Sequence, residues 1–220
     1  MVKIVSMGMY AHGGEGVAHE VWTAYNVADV FFFKRNMVRE SCRFLMRTIV
    51  GRTAVGGYRA VDRLDDVEKD GSTARGDTSE MVCHVFVRGD ALACAVITDG
   101  EYPLRVAASL TRILMAKFDE RHSEMNGFRV RNVQADVGMA DAELDALMAK
   151  YQDPEEADAF LRIHRELEET KEIVMEALEK VIARGDKIED LVERSRDLST
   201  STKSFARTAR KANKRCCAVQ

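Results

Sequence analysis

The chain has 220 residues, of which 36 are acidic and 33 basic, so its formal net charge is −3. A charge so close to zero argues against a dedicated nucleic-acid binder, which needs a basic excess along one face. The five cysteines form no CxxC pair and no Cys/His cluster at zinc spacing, which argues against a metal site and a disulfide framework. With no amino-terminal signal and no apolar run of roughly 20 residues, the composition predicts a cytosolic protein unless a lipid is attached.

The first part of the chain contains short apolar runs typical of an α+β domain. Two β-branched runs at 3–7 and 17–25, separated by a glycine-rich loop, predict a β-hairpin. A helix is expected from about 31 to 48 because apolar residues recur there at helical spacing. The residues on this apolar face are Val38, Cys42, Leu45 and Ile49. A weak strand at 58–64 and a polar loop follow.

The next elements complete this domain. Strong strand patterns at 81–87 and 91–98 flank a short turn and predict a second hairpin. Pro103 suits the first turn of a further helix, and a short amphipathic helix is expected at 141–151. The strands are grouped in hairpins, so residues 1–150 are predicted to form a five-stranded antiparallel sheet sandwiched by helices.

After Pro154 the pattern changes to that of one long helix. Asp153 is a suitable N-cap, and Pro154 suits the first helical position. Alternating steps of three and four from Phe160 give sixteen positions, of which twelve are apolar and none is acidic. This seam predicts a coiled-coil segment over 154–213. Its large apolar members are Phe160, Ile163, Leu167, Val174, Val181, Ile188, Leu191, Leu198 and Phe205.

One charged residue, Arg184, occupies the seam. A guanidinium buried between helices is costly unless it is hydrogen-bonded, so partner helices would have to supply acceptors at its level. The best-attested use of such a residue is to fix the helix register. The alternative is that Arg184 reaches solvent from the edge of an ordinary coiled coil. An isolated helix with one apolar seam buries nothing, so the segment is expected to be disordered or docked intramolecularly until partners arrive.

The chain ends in Cys217-Ala218-Val219-Gln220, a C-a-a-X sequence whose terminal glutamine favours farnesylation. Cys216 beside it is available for palmitoylation, and no acidic residue follows Asp197. Two lipids, or one lipid and a basic patch, are needed for stable membrane residence. The residues therefore predict a basic, lipidated tail over 214–220, and the alternative is two free thiols on a frayed end.

A register-forming arginine in a heptad segment, next to an α+β domain, resembles the longin R-SNAREs. The C-a-a-X ending narrows the resemblance to the prenylated, YKT-type synaptobrevin homologues. Two stretches resemble the longin signature: Cys83-His84-Val85-Phe86-Val87-Arg88 and Glu101-Tyr102-Pro103. Two others resemble the SNARE segment: Arg184-Gly185-Asp186-Lys187 and Thr208-Ala209-Arg210-Lys211. The resemblance covers nearly the whole chain.

This resemblance implies a longin (profilin-like) domain and a function in vesicle fusion, including transport from the endoplasmic reticulum to the Golgi. Arg184 would form the central, or zero, layer of a parallel four-helix bundle and meet one glutamine from each of three Q-SNARE helices. A prenyl transferase would attach a farnesyl group at Cys217, and Cys216 would carry a palmitoyl group. No catalytic residue, metal or cofactor is implied beyond these covalent lipids.

The resemblance also implies where the protein acts and how it is regulated. The family is found in the cytosol and on the cytoplasmic face of Golgi, endosomal or vacuolar, and vesicle membranes. Its longin domain folds back on the SNARE segment and shelters the lipid in an apolar groove. A second face of the first helix is expected to line that groove, and contact with a neighbouring loop is the alternative. The residues on this face are Phe33, Met37 and Phe44.

Other functions are tested against the same residues. Cys83 and His84 are adjacent on a predicted strand, so their side chains point to opposite faces and form no catalytic dyad. The glycine-rich loop at 12–16 lacks the Lys-Ser/Thr of a phosphate-binding loop, which argues against a small GTPase. The alternative that stays open is a prenylated longin-domain tether or adaptor without fusogenic activity, which would not need Arg184 in a central layer.

Overall fold

A computed structural model describes residues 4–14, 16–62, 81–122, 133–154, 175–182 and 187–216. The amino-terminal domain contains five strands: β1 (Ile4–His12), β2 (Ala18–Tyr25), β3 (Tyr58–Asp62), β4 (Met81–Val87) and β5 (Leu92–Asp99). Its helices are α1 (Arg35–Arg52), α2 (Leu104–His122) and α3 (Ala142–Lys150). The C-terminal segment contributes β6 (Met175–Ala177), α4 (Leu178–Ile182), α5 (Ile188–Arg194) and α6 (Thr200–Cys216).

The strands form one sheet in the order β2-β1-β5-β4-β3-β6. All neighbours among the first five strands are antiparallel, which confirms the predicted five-stranded sheet. The short strand β6 pairs with β3 in the parallel direction and extends this sheet at its edge. That sixth strand comes from the segment predicted to be helical throughout.

Helices cover both faces of the sheet. Strand alternation sends the side chains of Cys83, Val85 and Val87 to the face covered by α1 and the C-terminal segment. The opposite face, with Cys94 and Val96, packs on α2 and α3. The α+β sandwich is therefore as predicted, with the C-terminal segment as an additional part of one helical layer.

The first strand and the first helix differ from their predicted bounds. β1 runs to His12 because it is paired on both sides, so Gly8 within it does not end the strand. α1 begins only at Arg35, and Phe32–Lys34 form a 3-10 turn before it. Gly51 lies within α1, where an added Cβ would come within 2.7 Å of the Gly16 carbonyl carbon. This glycine allows the helix to approach the β1–β2 turn rather than ending the helix.

The C-terminal segment is mostly helical in its described residues, but it is not one continuous helix. α5 ends at Arg194, and the backbone of Ser195 is extended before α6 begins at Thr200. The segment is docked on its own domain, one of the two states expected for a helix without partners. Apolar residues in each of its described helices are buried, because the turns between short helices let the segment follow the surface of the domain.

Candidate functional site: the groove that holds the C-terminal segment

The C-terminal segment occupies an apolar groove formed by α1 and the sheet. Phe44, Leu45 and Ile49 of α1 are buried there, together with side chains from β4 and β5. The buried residues from the segment are Leu178, Val181, Ile182, Val192, Leu198 and Ala206. One hydrophobic core therefore contains residues of both the amino-terminal domain and the segment that follows it.

Backbone pairing fixes the start of the docked segment. Met175, Glu176 and Ala177 pair in parallel with Ala60, Val61 and Asp62 of β3. Arg59 reinforces the pairing, because its guanidinium lies 2.8 Å from the Glu176 carboxylate. The β3 edge of the sheet is consequently covered by the chain itself.

Glu40 of α1 binds the start of α6. Its Oε2 accepts hydrogen bonds from the Ser199 amide (2.9 Å) and from the Thr202 hydroxyl (2.7 Å). Burial favours the protonated carboxyl, but these hydrogen bonds outweigh it, so the pKa of Glu40 is lowered. The charged carboxylate thus satisfies polar groups at the beginning of a helix, where amides lack helical partners.

Replacing Glu40 by alanine is expected to loosen α6 from the groove. The loss of two hydrogen bonds to a carboxylate, discounted for partial exposure, corresponds to about 1–2 kcal/mol. Amide hydrogen exchange over 199–206 should therefore become roughly tenfold faster. Glu40→Gln is the matched control, because it keeps an acceptor oxygen and should show a smaller change. Equal exchange in wild type and Glu40→Ala would contradict this role of Glu40.

Arg47 of α1 forms ion pairs with two acidic residues, one of which lies in the turn before α6. The Nε of Arg47 lies 3.3 Å from Asp197, and its Nη2 lies 2.8 Å from Asp136. Burial raises the pKa of Asp197, and the positive charge of Arg47 opposes that shift. Arg47 therefore connects three parts of the chain: α1, the loop before α3 and the C-terminal segment.

The residues considered for catalysis are part of the core. Burial lowers the pKa of His84 to about 4, and its ring nitrogens lie 2.8 Å from the Tyr58 hydroxyl and 3.3 Å from the Thr98 hydroxyl. Cys83 belongs to the α1 side of the sheet, where burial raises the pKa of its thiol. The two side chains lie on opposite faces, as the strand pattern predicts.

Comparison with known proteins matches both parts of the chain. A family model described as Synaptobrevin matches residues 160–220. The chain is 35% identical over 218 residues to a putative synaptobrevin homologue YKT6 of Dictyostelium discoideum, which covers 98% of each protein. It is 34% identical to a synaptobrevin homologue ykt6 of Schizosaccharomyces pombe, over 90% of this chain and 89% of that protein. A homologue YKT6 of Debaryomyces hansenii is 30% identical over 99% of this chain and 100% of its own length.

The chain belongs to the YKT6-type synaptobrevin homologues. It is therefore a longin R-SNARE with a role in vesicle trafficking and is not an enzyme. In this family member the SNARE segment lies within residues 160–220, which the Synaptobrevin model matches, and the groove is a surface of the longin domain.

In the docked state, the described seam residues differ in how far they are buried. Val181 and Leu198 are buried in the groove, and Ile188 and Leu191 pack against it in part. Phe205 is 40% exposed. The other predicted seam residues, Phe160, Ile163, Leu167 and Val174, lie outside the described residues, as does the proposed zero-layer Arg184.

Several groove residues of this SNARE lie off the seam and were not predicted. Leu178, Val192 and Ala206 share one heptad position beside the seam, and all three are buried in the groove together with Ile182. These three residues lie two heptads apart, and Gly185 and Ser199 occupy the same heptad position between them, so no continuous apolar stripe in the sequence marks this face. The longin domain thus contacts a face that overlaps the seam without coinciding with it.

The predicted groove residues lie in different surroundings. Phe44 is buried among the residues that contact the SNARE segment. Met37 is half-buried, whereas Phe33 is 76% exposed on the 3-10 turn. Phe33 stands away from the groove because α1 starts after it, so helical spacing does not place it with Phe44. The role of these residues in holding a lipid stays a prediction.

The cysteines among the described residues lie in the core or at the end of α6. Cys42, Cys83 and Cys94 are buried thiols of the longin domain. Cys216 is the last residue of α6, and Cys217 lies outside the described residues. Within the ranges that the structure describes, no helix is both long and apolar enough to cross a bilayer.

Proposed function

We propose that this chain drives membrane fusion as the arginine-bearing member of a parallel four-helix bundle with three Q-SNARE helices. Arg184 supplies the central layer, where one glutamine from each partner accepts its hydrogen bonds. The proposal is supported by family membership and by the seam, in which Arg184 is the one charge among sixteen positions.

The longin domain keeps this R-SNARE inactive by holding the SNARE segment in its groove. The observation that carries this proposal is the burial of the seam residues Val181 and Leu198 in the groove. A side chain cannot pack against α1 and against partner helices at the same time. Bundle formation therefore requires the segment to leave the groove, and its docking energy opposes fusion.

The proposed membrane anchor is covalent. A prenyl transferase attaches farnesyl to Cys217, palmitoylation of Cys216 adds a reversible second lipid, and the basic residues of α6 strengthen attachment to anionic membranes. The six basic residues after Asp197, with no acid among them, support this arrangement. The membranes served are those of the Golgi, of endosomes or the vacuole, and of vesicles, together with a cytosolic pool.

The bundle is tested by mixing residues 154–213, which lack the longin domain and its groove, with three Q-SNARE helices and following helix content and melting. We expect a gain of helix and a cooperative transition. Arg184→Ala should weaken the bundle by about 1–3 kcal/mol, because three buried glutamine amides lose their partner. Arg196→Ala, off the seam and exposed in the docked state, is the matched control and should melt like wild type.

Two results would contradict this function. If mixing produces no gain of helix, the chain is not fusogenic and the tether or adaptor alternative is favoured. If Arg184→Ala and Arg196→Ala melt alike, the bundle forms without a central arginine layer.

A further inference from the structure

The most exposed large apolar side chains of the described residues lie next to one another at the start of α1. Phe31, Phe32 and Phe33 are 74%, 85% and 76% exposed. Scattered single apolar residues on a surface need no explanation, but three consecutive aromatic rings form a patch of the kind that marks an interaction site. None of the three packs into either hydrophobic core.

These rings are held in place by a folded turn. The Lys34 amide donates to the Phe31 carbonyl at 2.8 Å, closing the 3-10 turn. Arg35 donates to the carbonyls of Val30 (3.0 Å) and Ala28 (2.9 Å) and so fixes the preceding loop. The rings of Phe31 and Phe33 stack with their centroids 5.9 Å apart. The protein therefore uses specific contacts to present aromatic rings to solvent.

The geometry points to a lipid bilayer as the partner. Phe31 and Phe33 stack on each other, and Phe32, between them in the chain, is the most exposed of the three, so the rings protrude together from the surface. The interfacial region of a bilayer surrounds a protruding turn of this kind on all sides. Amphipathic and aromatic elements bind membranes in this way, with their apolar side chains in the boundary between headgroups and acyl chains.

The charges around the turn suit an anionic membrane. Lys34 and Arg39 are exposed beside the rings, Arg35 is half-buried, and Asp29 is the nearby exposed acid. Glu40 lies seven residues, or about 10 Å of helix, after Phe33. Its carboxylate accepts hydrogen bonds from the start of α6. Basic residues near an anionic surface each add to binding.

We propose that the turn Phe31–Phe33 inserts into anionic membranes and brings the folded longin domain to the bilayer independently of the lipid anchor. This contact rests on neither Arg184 nor the bundle. It would orient α1 and the docked segment at the membrane before the segment opens.

The test uses the full chain with Cys216→Ser and Cys217→Ser, so that no lipid is attached. It is sedimented with phosphatidylcholine vesicles that contain about one-third phosphatidylserine. Changing Phe31, Phe32 and Phe33 to serine should reduce the partition coefficient at least about tenfold. The matched control is Val55→Ser, another exposed apolar residue, which should bind like wild type. Because the three rings are exposed, the triple variant should keep the wild-type melting temperature.

A second measurement reports insertion directly. Phe32→Trp should show blue-shifted emission and quenching by brominated lipids on vesicle binding. Trp22 is 1% exposed and should not be quenched, so it serves as the internal reference. Equal vesicle binding by wild type and the triple variant, or no quenching at position 32, would overturn the proposal and leave the patch to a protein partner. Neither result would bear on the proposed bundle.

Discussion

Replacing Val192 by aspartate is expected to free the C-terminal segment from its groove while leaving every seam position unchanged. Val192 is 7% exposed and packs within the core shared with α1. Removing its burial costs about 1.5–3 kcal/mol, and a carboxylate at the same place adds a desolvation cost. A total above about 3 kcal/mol shifts the opening equilibrium by more than roughly a hundredfold.

Amide hydrogen exchange over residues 187–208 measures this opening. Protection in this range should fall in Val192→Asp, while the strands β1, β4 and β5 keep theirs. Because the seam is intact, the variant should also assemble faster with Q-SNARE helices.

Phe205→Asp is the complementary variant. Phe205 lies on the seam but is 40% exposed in the docked state. This substitution should leave the exchange of 187–208 nearly unchanged and weaken the bundle. If Val192→Asp keeps wild-type protection, or if Phe205→Asp opens the segment, the docked arrangement does not control access to the seam as proposed.

Replacing Cys217 by serine is expected to abolish stable membrane residence. A serine hydroxyl does not accept the prenyl group, and each buried CH₂ of a lipid chain contributes about 0.8 kcal/mol to membrane binding. The membrane partition coefficient should therefore fall by more than about a hundredfold. Weak binding through Phe31–Phe33 and the basic residues of α6 should be what remains.

Two variants calibrate this result. Gln220→Leu keeps a C-a-a-X sequence but favours geranylgeranyl over farnesyl, so it should retain membrane residence. Cys216→Ser removes only the proposed palmitoyl site and should shorten residence without abolishing it. Unchanged membrane pelleting of Cys217→Ser would refute the lipid anchor.

Local patterns in the sequence predicted most of the longin domain. β4 matches its predicted bounds because alternation and flanking turn residues act over a few positions. α1 was placed too early because Phe31, Phe32 and Phe33 continue an apolar run, and composition does not show that a 3-10 turn presents them to solvent. The hydrogen bonds of Glu40 with Ser199 and Thr202 join residues far apart in sequence, so no local pattern reports them.

The C-terminal segment shows a different limit of sequence interpretation. Its heptads predict a long helix because they specify a bundle with partner chains. In the isolated chain the described residues of this segment pack against α1 and the sheet, where they form strand β6 and three shorter helices. Leu178 and Val192, which lie off the seam and are buried in the groove, distinguish the docked face from the seam.

The pairing of β6 with β3 affects the tendency of an opened molecule to self-associate. When residues 175–177 detach, the β3 edge loses its neighbour, and its amide and carbonyl groups become available to strands of other molecules. An opened molecule that has not met its partners is therefore at greater risk of self-association than the docked one. The docked segment thus protects the β3 edge of its own sheet from pairing with other molecules.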